Sequence, residues 1–172
     1  MLALLKLLQS LVRTLHSDGT PAQIAGGVAL GAALGLTPLT AAHNLLVVLL
    51  LLVLNVSFGA GMLAWALFVP VGFLLDPVFD AIGRRLLDAP SLAGTWTAWF
   101  NTPVVPYTSF NNSVVLGSVV GWLLLFVPIF LLAHLFVVRY RATLGARIQR
   151  SRYFKAFAAS KAYNVYRWFY PE

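Results

Sequence analysis

Cysteine is absent from this chain of 172 residues, and charge is scarce: Asp, Glu, Lys and Arg together make up 10% of it, with only five acidic side chains. Without thiols there is no disulfide framework, no thiolate zinc site and no thiol nucleophile. The acidic residues offer only one cluster, Asp76, Asp80 and Asp88, and Arg84 and Arg85 neutralise it at helical spacing. No His and carboxylate pair has the spacing of a metal site, and no phosphate-binding glycine loop, Gly-x-Ser-x-Gly elbow or His-Glu-x-x-His pattern occurs. The expectation is a protein with no catalytic residues, no metal and no cofactor. Long hydrophilic stretches are missing too, so one domain over residues 1–172 is expected.

What the chain does have is apolar surface. Hydrophobic residues are 60% of the total, more than a water-soluble fold of this size can bury. The net charge of +7 is therefore assigned to anionic lipid and not to nucleic acid, since a phosphate-binding surface needs a solvated scaffold.

From Leu2 to His16, Leu4, Leu5, Leu8, Leu11, Val12 and Leu15 share one helical face, with Lys6, Gln9, Arg13 and His16 on the other. This predicts an amphipathic helix lying on a membrane surface or covering the end of a bundle, retained because Lys6 and Arg13 interrupt any signal-peptide core. Ser17 to Pro21 breaks it, with Thr20 placed to cap the next helix and Pro21 to open it.

Residues 21–138 read as the membrane bundle. The first segment, Ile24 to Leu36, carries Gly27, Gly31 and Gly35 on one face, where a second helix can approach closely. It is short for a hydrocarbon core of roughly 30 Å. Thr37 and Pro38 end it, and His43 to Phe58 is the clearest aliphatic run. Gly59 and Gly61 mark a turn before the third segment, Met62 to Leu75, and Asp76 to Ser91 reads as a separate interfacial helix. Trp96, Trp99, Phe100 and Tyr107 belong at headgroup level. The last segment, Val114 to Val138, begins on Ser113, Gly117 and Gly121 at zipper spacing, and His134 sits near its interfacial end.

Beyond Val138 the composition changes. Arg139, Arg141, Arg147, Arg150, Arg152, Lys155, Lys161 and Arg167 are eight of the 12 basic residues. With Phe154, Phe157, Trp168 and Phe169 near one face, residues 139–172 are expected to lie on the anionic inner leaflet, with Arg147, Arg150, Arg152, Lys155, Lys161 and Arg167 at the headgroups. A plain topology determinant is the simpler alternative. Basic residues at both ends place both termini on the cytoplasmic side, so the number of crossings is even. The fold class expected is an all-α polytopic membrane bundle of about four segments with an interfacial helix at each end. An alternative makes the first segment a re-entrant half-helix, keeps Arg84 and Arg85 inside and lets Trp96 to Asn111 contribute a crossing.

Two places combine a Thr-Pro break, nearby Asn and a small-residue zipper: Thr37, Pro38, His43 and Asn44, and Thr102, Pro103, Asn111 and Asn112. Paired interruptions of this kind point to a polar site within the membrane. The competing structural reading has the Asn residues capping helices and His43 bonding a freed carbonyl.

The stretch Gln23 to Gly31, followed by Gly35-Leu36-Thr37-Pro38 and His43-Asn44, resembles a family of small bacterial inner-membrane proteins known as a domain of unknown function (type 2062). Trp99 to Pro103 and Phe110 to Ser113 look like its second half, so the resemblance covers roughly residues 1–145. It implies a bacterial cytoplasmic membrane and no established activity. The glycine-rich, proline-broken segments also look like the re-entrant helices of DedA-type proteins, which are associated with lipid movement. Two functions follow: a module that handles lipid or another amphiphile, or a non-catalytic anchor that assembles with itself or with a larger envelope protein.

Overall fold

The computed structural model describes residues 19–145. The expected amphipathic helix before Ser17 and the lipid contacts assigned to Arg147, Arg150, Arg152, Lys155, Lys161 and Arg167 lie outside the described residues. Within them the fold is all helical: α1 Pro21–Leu36, α2 His43–Val53, α3 Phe58–Leu87, α4 Ala93–Phe100 and α5 Ser113–Tyr140, with 3-10 turns at Pro90–Leu92 and Val105–Thr108 and one π turn at Arg141–Gly145.

Local chemistry explains the boundaries. Thr20 Oγ1 accepts from the Gln23 N–H at 3.2 Å while the Thr20 N–H donates to Gln23 Oε1 at 2.7 Å, a reciprocal cap in front of Pro21. At the other end Thr37 turns extended, and both its N–H and its hydroxyl return to the Ala33 carbonyl, at 3.0 and 2.8 Å. Pro38 then prevents continuation. Ser57 caps α3 through the Ala60 N–H, and Asn112 caps α5 through the N–H groups of Val114 and Val115.

Two sequence expectations about α3 change, and the span expected over His43 to Phe58 ends as a helix at Val53. Gly59 and Gly61 are not a turn; they lie in the opening turns of α3, because Ser57 supplies the cap just before them. The separate interfacial helix expected over Asp76 to Ser91 does not form: Asp76 to Leu87 continues the same 30-residue helix, which passes through Pro70 and Pro77. Each proline removes one N–H from the ladder, a loss that a long helix with intact turns on either side absorbs. Arg84 and Arg85 fall in its last turn, where cations suit the negative end of the helix.

α3 and α5 run antiparallel. The start of α3 meets the end of α5 around Ile24, where Ala60, Val137 and Tyr140 form one buried cluster, and the far end of α3 meets the start of α5 where Gly83 abuts Ser113. α1 lies between them and is buried over most of its length. Its second cluster, Leu30, Ala33 and Leu34, packs on Val47 and Leu51 of α2; its third, Ala32 and Leu36, packs on Phe79 of α3. α2 returns antiparallel beside α1 and touches α3 little.

Of the four expected segments, α3 and α5 are long and apolar enough to cross a membrane; α1 and α2, at 16 and 11 residues, are shorter apolar helices. The most apolar stretches of α3 and α5 are only 28% and 22% buried, unlike core helices of a soluble protein. Leu45 and Leu74 are each 78% exposed and Leu124 71%. An apolar belt of this extent on a soluble monomer is exceptional.

Candidate functional site

The site is built on two glycine crossings. A Cβ on Gly27 would overlap the Ser57 carbonyl, one on Gly31 the Gly61 carbonyl, and one on Gly35 would sit 2.6 Å from the Phe68 Cβ. From the opposite side, a Cβ on Gly72 would overlap the Gly35 carbonyl. The α1 zipper therefore meets backbone along the first half of α3. At the far end of α3 the second zipper does the same: Gly117 faces the Phe79 carbonyl, Gly121 the Phe79 ring, and Ser113 presses its backbone on Gly83. The partner glycines Gly61, Gly72 and Gly83 do not stand out as a zipper in the sequence. Their equal intervals, each close to three helical turns, are the signal that marks one face.

These contacts set the depth of the Thr37–Pro38 break. It follows Gly35 and Leu36, which lie against Gly72, so the turn stands about 21 Å along α3 from Phe58, before the charged run that begins at Asp76. Thr37 is buried, and its single hydroxyl proton is shared between Ala33 O and Asn44 Oδ1, 2.8 and 2.7 Å away. Asn44, only 9% exposed, donates from Nδ2 to the Pro38 carbonyl at 2.8 Å. His43 Nε2 is buried with no hydrogen-bond partner among the described residues. Thus Thr37, Pro38, His43 and Asn44 do form one polar turn. Asn44, and not His43, satisfies the freed carbonyl.

The second break forms elsewhere. Thr102 Oγ1 donates back to Ala98 O at 2.8 Å, Pro103 and Asn111 are exposed, and Asn112 is the α5 cap. Around it Trp96, Trp99 and Phe110 cluster with ring centroids 5.3 to 6.1 Å apart, Trp99 meeting the other two edge-to-face, and Trp96 Nε1 donates to Leu86 O at 2.9 Å, fixing α4 to the end of α3. No hydrogen bond among the described residues joins the two breaks. Asp80 lies between them along α3 and bridges Arg84 and Ser113, which ties α3 to α5.

At the opposite end of α1, Gln23 acts as a clasp. Its carbonyl accepts from the Ser57 N–H at 2.9 Å, and its Nε2 donates to Asn55 Oδ1 at 2.8 Å, so the start of α1 is joined to the chain that leaves α2. Beneath it a groove of about 390 Å³ opens between Gly26, Leu30, Val56 and Phe126. Midway, Trp122 Nε1 donates to Ala29 O at 2.9 Å, anchoring α5 to α1. No group of three or more metal-ligating side chains forms among the described residues.

A short, glycine-lined helix buried between two long, outwardly apolar ones, with a polar turn at its tip, defines an all-helical protein with two helices of membrane-crossing length. The chain belongs to the bacterial family described as "Uncharacterized protein conserved in bacteria (DUF2062)", whose match covers residues 5–145. It is also similar to a protein of Treponema pallidum (strain Nichols), itself described only as an uncharacterized protein. The two are 30% identical over 151 residues, 88% of this chain and 93% of that one. No solved structure matches.

Proposed function

We propose that the protein is a multi-pass component of the bacterial cytoplasmic membrane that eases the movement of lipid between leaflets, with the α1–α2 hairpin as its working part and both termini on the cytoplasmic side. The observation that carries this reading is the buried polar turn of Thr37, Pro38 and Asn44 at the end of a helix only 16 residues long. α1 is about 24 Å long and α2 about 16 Å, both short of a hydrocarbon core of roughly 30 Å. A short hydrophobic element draws the bilayer thinner around itself. A polar turn held in that thinned region, with the His43 imidazole beside it, places polar groups at a depth where hydrocarbon has none and lowers the barrier for a passing headgroup.

In this reading α3 and α5 cross the membrane while α1 and α2 enter and leave on one side. The test is purified protein in vesicles carrying a fluorescent phospholipid in both leaflets, with a reductant that quenches only the outer one. Quenching beyond the outer-leaflet fraction is expected, and its reduction in the Asn44→Leu variant. Folded protein that leaves the inner-leaflet signal intact would sink the proposal.

The exposed far face of α4 and its loop, with Trp99, Phe100 and Tyr107 outward, favours a second reading as an anchor for an envelope partner. Its signature would be crosslinks from Tyr107 to one protein, with no lipid movement.

A further inference from the structure

Resting on the lipid-handling reading, we infer that the groove between α3 and α5 beside Ile24 holds one acyl chain of an anionic phospholipid, with its phosphate at Arg139 and Arg141. The groove has a volume of about 340 Å³, at the low end for small-molecule sites, and every residue lining it is apolar. Ile24 and Val28 of α1 form its floor; Ala60 and Ala64 of α3 and Ala133 of α5 make it deep by being small.

Its extent fits one leaflet. The lining runs from Ala60 to Phe68 on α3 and from Val137 back to Ile129 on α5, about 12 Å along each helix, against roughly 15 Å for half of the hydrocarbon core. The mouth is charged to match. Arg139 lies three residues beyond Phe136 and seven beyond Leu132, so it continues the groove wall into the headgroup level, and Arg141 lies one turn beyond Val137. Arg139 is exposed at the end of α5. A guanidinium pairs with a phosphate bidentately, which a zwitterionic headgroup's own ammonium weakens and an anionic headgroup does not. The groove and the Thr37 turn lie at different depths beside α1, so the lipid held here is at the entry to the hairpin and not yet at its tip.

The test is photo-crosslinking of the full chain in phosphatidylethanolamine vesicles doped with either phosphatidylglycerol or phosphatidylcholine bearing a diazirine in the acyl chain, with adducts mapped by mass spectrometry. Expected are adducts concentrated on residues 60–68 and 129–137 and a preference for phosphatidylglycerol. Ala133→Phe, which fills the groove, should abolish these adducts. Arg139→Gln, on an exposed position, should lower the phosphatidylglycerol preference about fivefold, the size of one surface Arg against an anionic lipid, while leaving the helical circular dichroism unchanged. If Ala133→Phe does not fold, the adduct map and Arg139→Gln still decide. Adducts spread evenly over the outer faces of α2 and α5, equal labelling by both lipids, or a groove crosslinked to residues 1–18 or to a second copy would overturn the inference. Lipid movement without groove adducts would remove this site and leave the transport reading standing; groove adducts without lipid movement would do the reverse.

Discussion

At the scale of single residues, the glycines separate by what stands opposite them. Gly31→Leu drives a side chain into the Gly61 backbone, which cannot yield as a flexible side chain would, so a loss of about 1–3 kcal/mol is expected from overpacking. A methyl group on Gly94 in α4 would meet nothing within 4 Å, and Gly94→Ala should hold or gain stability by up to about 1 kcal/mol through helix propensity. Thermal unfolding of the two variants in detergent checks the pair, and similar losses in both would contradict the packing described. Asn44→Leu leaves the Pro38 carbonyl and the Thr37 hydroxyl without their shared partner in a buried place. It should cost about 1–3 kcal/mol, whereas Asn111→Leu, on an exposed side chain, should cost little. The two zippers were legible from spacing alone, because a four-residue glycine period needs no partner to be seen. Which backbone they meet was not, since that depends on how far α3 extends.

At the scale of elements, the beginnings of helices were readable and their continuations were not. Thr20 followed by Pro21, and Asn112 before Ser113, mark starts by chemistry confined to a few neighbouring residues. Thr20→Ala removes one half of the reciprocal cap and should cost about 0.5–2 kcal/mol, visible as a lower melting temperature; an unchanged value would mean that α1 is held by α3 and α5 alone. The continuity of α3 was hidden because Gly59, Gly61, Pro70 and Pro77 are each a breaker in isolation and the change from apolar to charged at Asp76 imitates a boundary. What overrides them is tertiary: α1 packs along α3 as far as Phe79 and α5 meets it both at Ala60 and at Gly83, so the helix is needed over its whole length. The run from His43 to Phe58 shows the opposite error. It is the most aliphatic in the chain, yet its helix stops at Val53, because Leu54 turns extended to bring Asn55 and Ser57 to Gln23.

At the scale of the whole molecule, the all-helical architecture and the apolar exterior were evident from composition, while the central place of α1 was not. The glycine face announced one close neighbour, which is α3; that α5 covers α1 as well rests on contacts such as Trp122 with Ala29, far apart in sequence. Because the chain has no cysteine, its arrangement across the membrane can be mapped with single introduced thiols. Under the proposed topology, a membrane-impermeant maleimide should label Ser91→Cys from outside intact cells and Ala142→Cys only after the inner side is exposed. Thr40→Cys at the hairpin turn should resist labelling from outside. Labelling of Thr40→Cys as fast as Ser91→Cys would convert the hairpin into two full crossings.

The hydrogen bond from Trp122 to Ala29 spans 93 residues of sequence, and it sets a schedule for how the protein is made. At synthesis rates of about 5–20 residues per second, α1 waits roughly 5–20 s between leaving the ribosome and meeting the helix that encloses it. Throughout that interval the glycine face of α1 can settle on α3, but the face around Ala29 that α5 will cover stays open. A nascent chain stopped after Leu92 should therefore be degraded in pulse-chase experiments far faster than one extended past Tyr140. Such a difference would mark α1 as the helix for which an insertion factor or quality-control protease has the longest opportunity to intervene.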